Sequence, residues 1–233
     1  MKDLSYFSGH HLDGLTFCKE VYALFEEIRS TPDGVSNLRL KASVLEKKLL
    51  EELFPICRYI QTKYKPGLYL TVQWIDGNQQ FDAFVGASGE SVKQFESPAH
   101  SFLEVTSAVH PKEYLARERL HTHGLCYGYD GLKRIKGDRS IMSEVVSYSG
   151  LSFINDDAER IVDAINKKGK INYPDNTTLI VQSSLSTIYS LDEWRRLVDL
   201  VRSKVKSIPF FEIFICETGG RFTDSLYPYD NPQ

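Results

Sequence analysis

Cysteine is scarce in this chain of 233 residues: Cys18, Cys57, Cys126 and Cys216 stand far apart and never form a C-x-x-C pair. That argues against a disulfide scaffold or zinc ribbon and leads us to expect the reduced thiols of a cytoplasmic protein. No apolar run approaches the roughly 18 residues needed to span a bilayer, so no membrane partner is expected. The opening MKDLSYFSGHHLDG lacks the basic-then-apolar layout of a secretory signal. Positive charge is not in surplus either. The 28 Lys and Arg face 31 Asp and Glu, a net charge of −3, and the pI is about 6.1. This excludes a basic coat for nucleic acid, so contact with DNA or RNA has to come from a local patch. Gly124, Gly128 and Gly131 lack the Gly-Lys-Ser/Thr ending of a phosphate loop, and no Gly-x-Ser-x-Gly elbow occurs. His121-Thr122-His123 and Cys126 have metal-binding side chains, but no second cluster at zinc spacing accompanies them.

What is present is an ordinary globular composition, 42% hydrophobic and 12% aromatic. One α/β domain over 1–233 is expected. Helical spacing of Leu15, Cys18, Val21, Leu24 and Phe25 predicts a first helix within an N-terminal extension, 1–37. Leu45, Leu49, Leu53, Ile56 and Ile60 share one face of a second helix, from about Leu38 to Tyr64, which Pro55 should bend. Strands follow at 68–74 and, after the turn Ile75-Asp76-Gly77-Asn78, at 80–85; a third spans 101–109. A short helix at 112–121 and an irregular, tyrosine-rich stretch to 154 form an insertion, 110–154. Asn155-Asp156-Asp157 then caps a helix to about Lys168, and Thr178–Val181 is a buried strand. The C-terminal part, 183–233, adds a helix capped by Ser190 and Glu193, a strand at 210–216 and a loop tail from Gly219. The whole predicts a mixed β-sheet with helices on both faces.

Two carboxylates stand inside apolar strands, Asp82 in Phe81-Asp82-Ala83-Phe84-Val85 and Glu104 in Phe102-Leu103-Glu104-Val105-Thr106. An ionised group there is costly unless paired or bound to a metal. On adjacent strands they would face one space, where two oxygen ligands plus waters suit Mg²⁺ or Mn²⁺. A solvated edge-strand face would also accommodate them. Glu52 points near the buried stripe of its helix, either towards a site or towards a basic partner, whereas Glu51 points elsewhere and can pair with Lys47. Lys168 lies along the stripe of Ile161, Ala164 and Ile165, where snorkelling to solvent is its simplest use.

This order of residues resembles the PD-(D/E)XK, or restriction-endonuclease-like, nuclease superfamily. Its core is αβββαβ, with a Glu on the first helix, an Asp on the second strand and Glu-x-Lys on the third. The matching positions are Glu52, Asp82 and Glu104-Val105-Thr106, within 38–182. The stretch Ser101–Val109 with Arg117-Glu118-Arg119 is similar to bacterial proteins of that group. The resemblance implies a Mg²⁺-dependent (or Mn²⁺-dependent) endonuclease acting on DNA or RNA in bacterial defence or mobile-element biology. Asp82, Glu104 and Lys168 would be its catalytic residues, and Glu52, Asp82 and Glu104 its metal ligands. Thr106 stands where the family has lysine, and Lys168 is the candidate for a lysine that has moved to the next helix. The alternative is a sheet that kept its shape and lost its chemistry, a nucleic-acid- or protein-binding module. From Lys112 to Arg139 seven basic residues face four acidic ones. Arg117, Lys133, Arg134, Lys136 and Arg139 are therefore the expected phosphate-binding set, with Tyr127, Tyr129 and Tyr148 available to stack on bases. A third reading is a small subunit that docks through Phe222, Tyr227 and Tyr229.

Overall fold

The computed structural model describes residues 3–94, 98–138, 140–147, 152–184, 188–205 and 209–227. Asp3 caps a short helix, α1 (Leu4–Ser8), and β1 (Leu12–Asp13) leads into α2 (Gly14–Arg29), which Asp13 caps by accepting from the amides of Leu15 and Thr16. The helix expected over 38–64 is broken into pieces for identifiable reasons. Lys41 takes a left-handed conformation (φ 51°) that ends α3 (Gly34–Leu40). Ser43 and Glu46 form a capping box that starts α4 (Val44–Lys48). Leu49–Leu53 is then a π-helical turn, in which the Phe54 amide reaches back five residues to the Leu49 carbonyl, before α5 (Phe54–Lys63). Pro55 has no amide to donate, so the helix widens just ahead of it instead of kinking. The apolar stripe survives: Leu49, Leu53, Ile56 and Ile60 are all fully buried.

The strands are β2 (Tyr69–Trp74), β3 (Ala83–Ser88), then, after a turn of helix α6 (Glu90–Lys93), β4 (His100–Ala108). β3 begins three residues later than expected and continues through Gly86 to Ser88, because its partners in β2 run back to Tyr69. The insertion holds α7 (Glu113–His123), a single 3₁₀ turn at 129–131 and the hairpin β5 (Leu132–Arg134) and β6 (Ile141–Ser143). α8 (Ser152–Lys168) starts earlier than the Asn155 cap expected, since Ile154 already belongs to its buried stripe. β7 (Thr177–Ser183), α9 (Leu191–Lys204) with its Ser190–Glu193 capping box, β8 (Glu212–Glu217) and β9 (Thr223–Leu226) complete the chain. The tail therefore carries a strand where a loop was expected. Its aromatics are used internally: Phe222 stacks on Trp194 at 5.5 Å and the Tyr227 hydroxyl lies 3.0 Å from Lys63 Nζ, while Tyr229 lies outside the described residues.

Among the described residues, one mixed sheet has the order β1-β2-β3-β4-β7-β8-β9, antiparallel except for the central β4-β7-β8 pairs, which are parallel. Side-chain alternation separates two cores. Leu103 and Val105 of β4, Ile180 of β7 and Phe214 of β8 face α2 and α5, whereas Leu179, Val181, Ile213 and Ile215 face α8 and α9. The sheet is thus covered by helices on both faces. No helix among the described residues is long and apolar enough to cross a membrane.

Phe214 is fully buried against Tyr59, with ring centroids 5.4 Å apart. Phe214→Ala should lower the unfolding free energy by about 3–5 kcal/mol. Ser190→Ala, which removes a helix cap, should lower it by about 1 kcal/mol. Urea denaturation of both variants checks the contrast.

Candidate active site

The register of β3 on β4 builds the site. Ala83 and Leu103 form the last rung of the antiparallel ladder, and Asp82, in the bend just before β3, lies close enough to Glu104, the next residue of β4, for its charge to act on it. The Asp82 amide donates to the Leu103 carbonyl at 2.8 Å. Because Leu103 faces the α2–α5 core, Glu104, the next residue of β4, takes the other face, under α8. Beyond this point the two strands part, and Asp82 Oδ2 accepts the Val105 amide at 2.7 Å, satisfying a group that a longer β3 would have paired. Glu104 is buried.

Lys168, the last residue of α8, donates its ammonium to Glu104 Oε1. Its stem follows the stripe of Ile161 and Ile165, as its spacing required, but its head turns inward instead of reaching solvent. Thr106 follows Glu104 two residues along β4, on the same face and half-buried. The helix carboxylate arrives from the opposite layer: Glu52 Oε2 accepts Trp74 Nε1–H at 3.0 Å, while Glu51 pairs with Lys41 at 2.7 Å rather than with Lys47.

Three further groups belong to the site that sequence reasoning did not find. Lys48 lies 5.0 Å from the Trp74 ring centre and pairs with Asp76 in the β2–β3 turn. Its spacing of one helical turn before Glu52 was the available signal. Tyr173, in the α8–β7 loop, lies beside Glu104 with its buried hydroxyl lacking a well-formed hydrogen bond among the described residues. No sequence pattern marks Asp76 or Tyr173 as members.

Electrostatics tie these groups together. Burial, then the charge of Asp82, pushes the Glu104 carboxyl up to about 7 against the pull of Lys168. Burial also raises Asp82, opposed by the Val105 amide, Lys168 and Lys48. Glu52 is raised by burial and by Asp82, opposed by Trp74 and Lys48. Burial works against the Lys48 ammonium, but Asp76, Glu52 and Asp82 outweigh it and hold its pKa up. Burial, Glu104 and Asp82 raise the Tyr173 phenol. Asp82 is therefore the charge felt by both other carboxylates. Among the described residues, however, no three Asp, Glu, His or Cys side chains close on one point as a ready cage. Asp82 and Glu104 are brought together, and Glu52 flanks them.

The expected phosphate-binding set is dispersed. Lys133 and Lys136 are exposed. Arg134 forks onto Glu118 at 3.1 and 2.5 Å. Arg117 turns towards Glu113 at 3.8 Å, with Nε and Nη1 buried and without hydrogen bonds among the described residues. Arg139 and Tyr148 lie outside the described residues. No protein family, curated protein or solved structure matches this chain.

Glu104 binds a proton more tightly folded than unfolded, so its contribution to stability is greatest below about pH 4.5 and declines as pH rises towards about 7. Glu104→Gln keeps the shape and cannot ionise. It should flatten this part of the pH–stability profile, by on the order of 3 kcal/mol across the window, as read by chemical denaturation at stepped pH.

Proposed function

We propose that the chain is a metal-dependent nuclease of the PD-(D/E)XK kind, hydrolysing phosphodiester bonds in DNA or RNA. The observation that carries this reading is the proximity of Asp82 and Glu104 at the end of the β3–β4 ladder, with the Lys168 ammonium on Glu104. The donor set fits Mg²⁺ or Mn²⁺: one hard carboxylate on a rigid strand and one in the bend beside it, a third flanking them, and a charge repulsion that a divalent cation relieves. Mg²⁺ takes one or two protein carboxylates and keeps its waters, so a closed cage of three is not required.

Asp82 and Glu104 would hold the cation, with Glu52 joining directly or through water. A cation held there would supply a more acidic water and positive charge for the scissile phosphate. Lys168 supplies the positive charge that Thr106 cannot, stabilising the negative charge that develops on the phosphate. Glu104 would meet the cation as a carboxylate, giving up the proton that its buried, metal-free position favours. The exposed Lys133 and Lys136 offer contacts to the backbone of a nucleic acid. Four free thiols suit the reducing cytoplasm.

A second reading, a catalytically inactive binding module, is favoured by Thr106 in place of the motif lysine and by the internal use of Arg117 and Arg134. One assay separates the two: cleavage of plasmid and single-stranded substrates with Mg²⁺ or Mn²⁺. The nuclease reading expects Asp82→Ala to abolish cleavage and Lys168→Ala to slow it about 10²-fold. Equal cleavage by wild type and Asp82→Ala would expose a contaminant and remove the assignment. At subsaturating metal the rate should rise with pH through the Glu104 ionisation, because the deprotonated carboxylate is the ligand.

A further inference from the structure

A concavity of about 500 Å³ opens beyond the carboxyl ends of β4 and β7, between α7, the insertion and the first turns of α8. His110 and Ser184, just past those strands, lie on its wall. It is separate from the carboxylate pair: Arg160 on its wall and Lys168 at that site are eight residues apart along α8, about 12 Å.

Its rim is apolar and exposed. Leu120, Tyr127, Val146 and Tyr189 are 39, 44, 38 and 75% accessible. Large side chains gathered in this way around a hollow mark a contact surface, unlike isolated surface apolar residues. One interior wall is a plate of His110 stacked on Tyr129, centroids 4.7 Å apart and planes 9° off parallel. Burial, then Arg160, lowers the His110 pKa against the pull of Asp130 3.6 Å away, which favours the neutral ring.

The charge of the lining is acidic. Asp130, Asp156 and Asp157 face one cation, Arg160, which pairs with Asp157. Lys112 reaches the Asp130 carbonyl from outside the lining and leaves the region still negative. This sign repels phosphate and favours a cation. Tyr127 and Tyr129, expected to stack on bases, line this acidic hollow instead.

We infer that this concavity is a docking site for a peptide segment of a partner protein that carries a bulky apolar side chain next to an arginine or lysine. The apolar side chain packs on Tyr127, Val146 and Tyr189, and the cation meets the exposed Asp156 across the aromatic wall. The inference does not depend on the nuclease reading.

The test titrates the full chain with three probes, acetyl-Phe-Arg-amide, acetyl-Phe-Glu-amide and acetyl-Gly-Arg-amide, followed by NMR shift changes. Acetyl-Phe-Arg-amide should bind at least about fivefold more tightly than either control. Asp156→Asn and Tyr189→Ala, both at exposed positions, should each weaken it about threefold or more while leaving the unfolding midpoint in place. The inference is overturned if the Glu and Arg probes bind alike, if the Phe and Gly probes bind alike, or if neither variant changes binding. Displacement of the Arg probe by a short oligonucleotide or by agmatine at equal concentration would also overturn it, pointing to a nucleic-acid or small-molecule site.

Discussion

Two like charges gathered at the end of the β3–β4 ladder are the constraint around which this molecule is arranged. The ladder ends at Ala83 and Leu103, which leaves Asp82 beside Glu104, and like charges this close are costly unless something compensates. Here compensation comes from three sides. The Val105 amide takes one oxygen of Asp82, Lys168 reaches Glu104 from α8, and Lys48 approaches from the other helical layer. None of these cancels burial, and all three carboxylates stay above their ordinary range. Had the site evolved for stability alone, an apolar pair on β3 and β4 would have packed under α8 without this tension.

The helical layer is tuned to the same point. A proline that cannot donate an amide forces a π-helical turn at Leu49–Leu53. The extra residue in that turn sets the phase on which Glu51 and Glu52 diverge, one to Lys41 and the other to Trp74 and the field of Asp82. π-turns cluster at functional positions because they re-aim side chains without ending the helix.

Much of this was legible in the residues. Period-two alternation found β2, short apolar runs found β4, β7 and β8, helical spacing found the stripes of α2, α5 and α8, and a capping box found α9, because burial and backbone satisfaction write themselves into sequence. The placement of Asp82 and Glu104 inside apolar runs was visible for the same reason, and Lys168 was visible as a lysine on a buried stripe. What stayed hidden depended on distant partners. β1 is two residues long and exists only by pairing with β2, and β9 is recruited by β8. The start of β3 was set by β2 and by the use of Asp82 as an amide acceptor, not by local propensity. The break at Lys41 needed a left-handed residue that is not glycine, which no pattern announces. Asp76 and Tyr173 join the site from turns, whose spatial position follows from the sheet and not from their own neighbours.

The parallel pairing of β4 with β7 has a consequence for synthesis. As the chain emerges, β4 completes its antiparallel edge with β3 at once, but its other edge waits for residues 177–183, after the whole insertion and α8 have been made. Until then a strand rich in apolar residues presents open backbone groups to any passing chain. A charge at the centre of such a strand, here Glu104, is of the kind that discourages wrong pairings until its partner on α8 has been made.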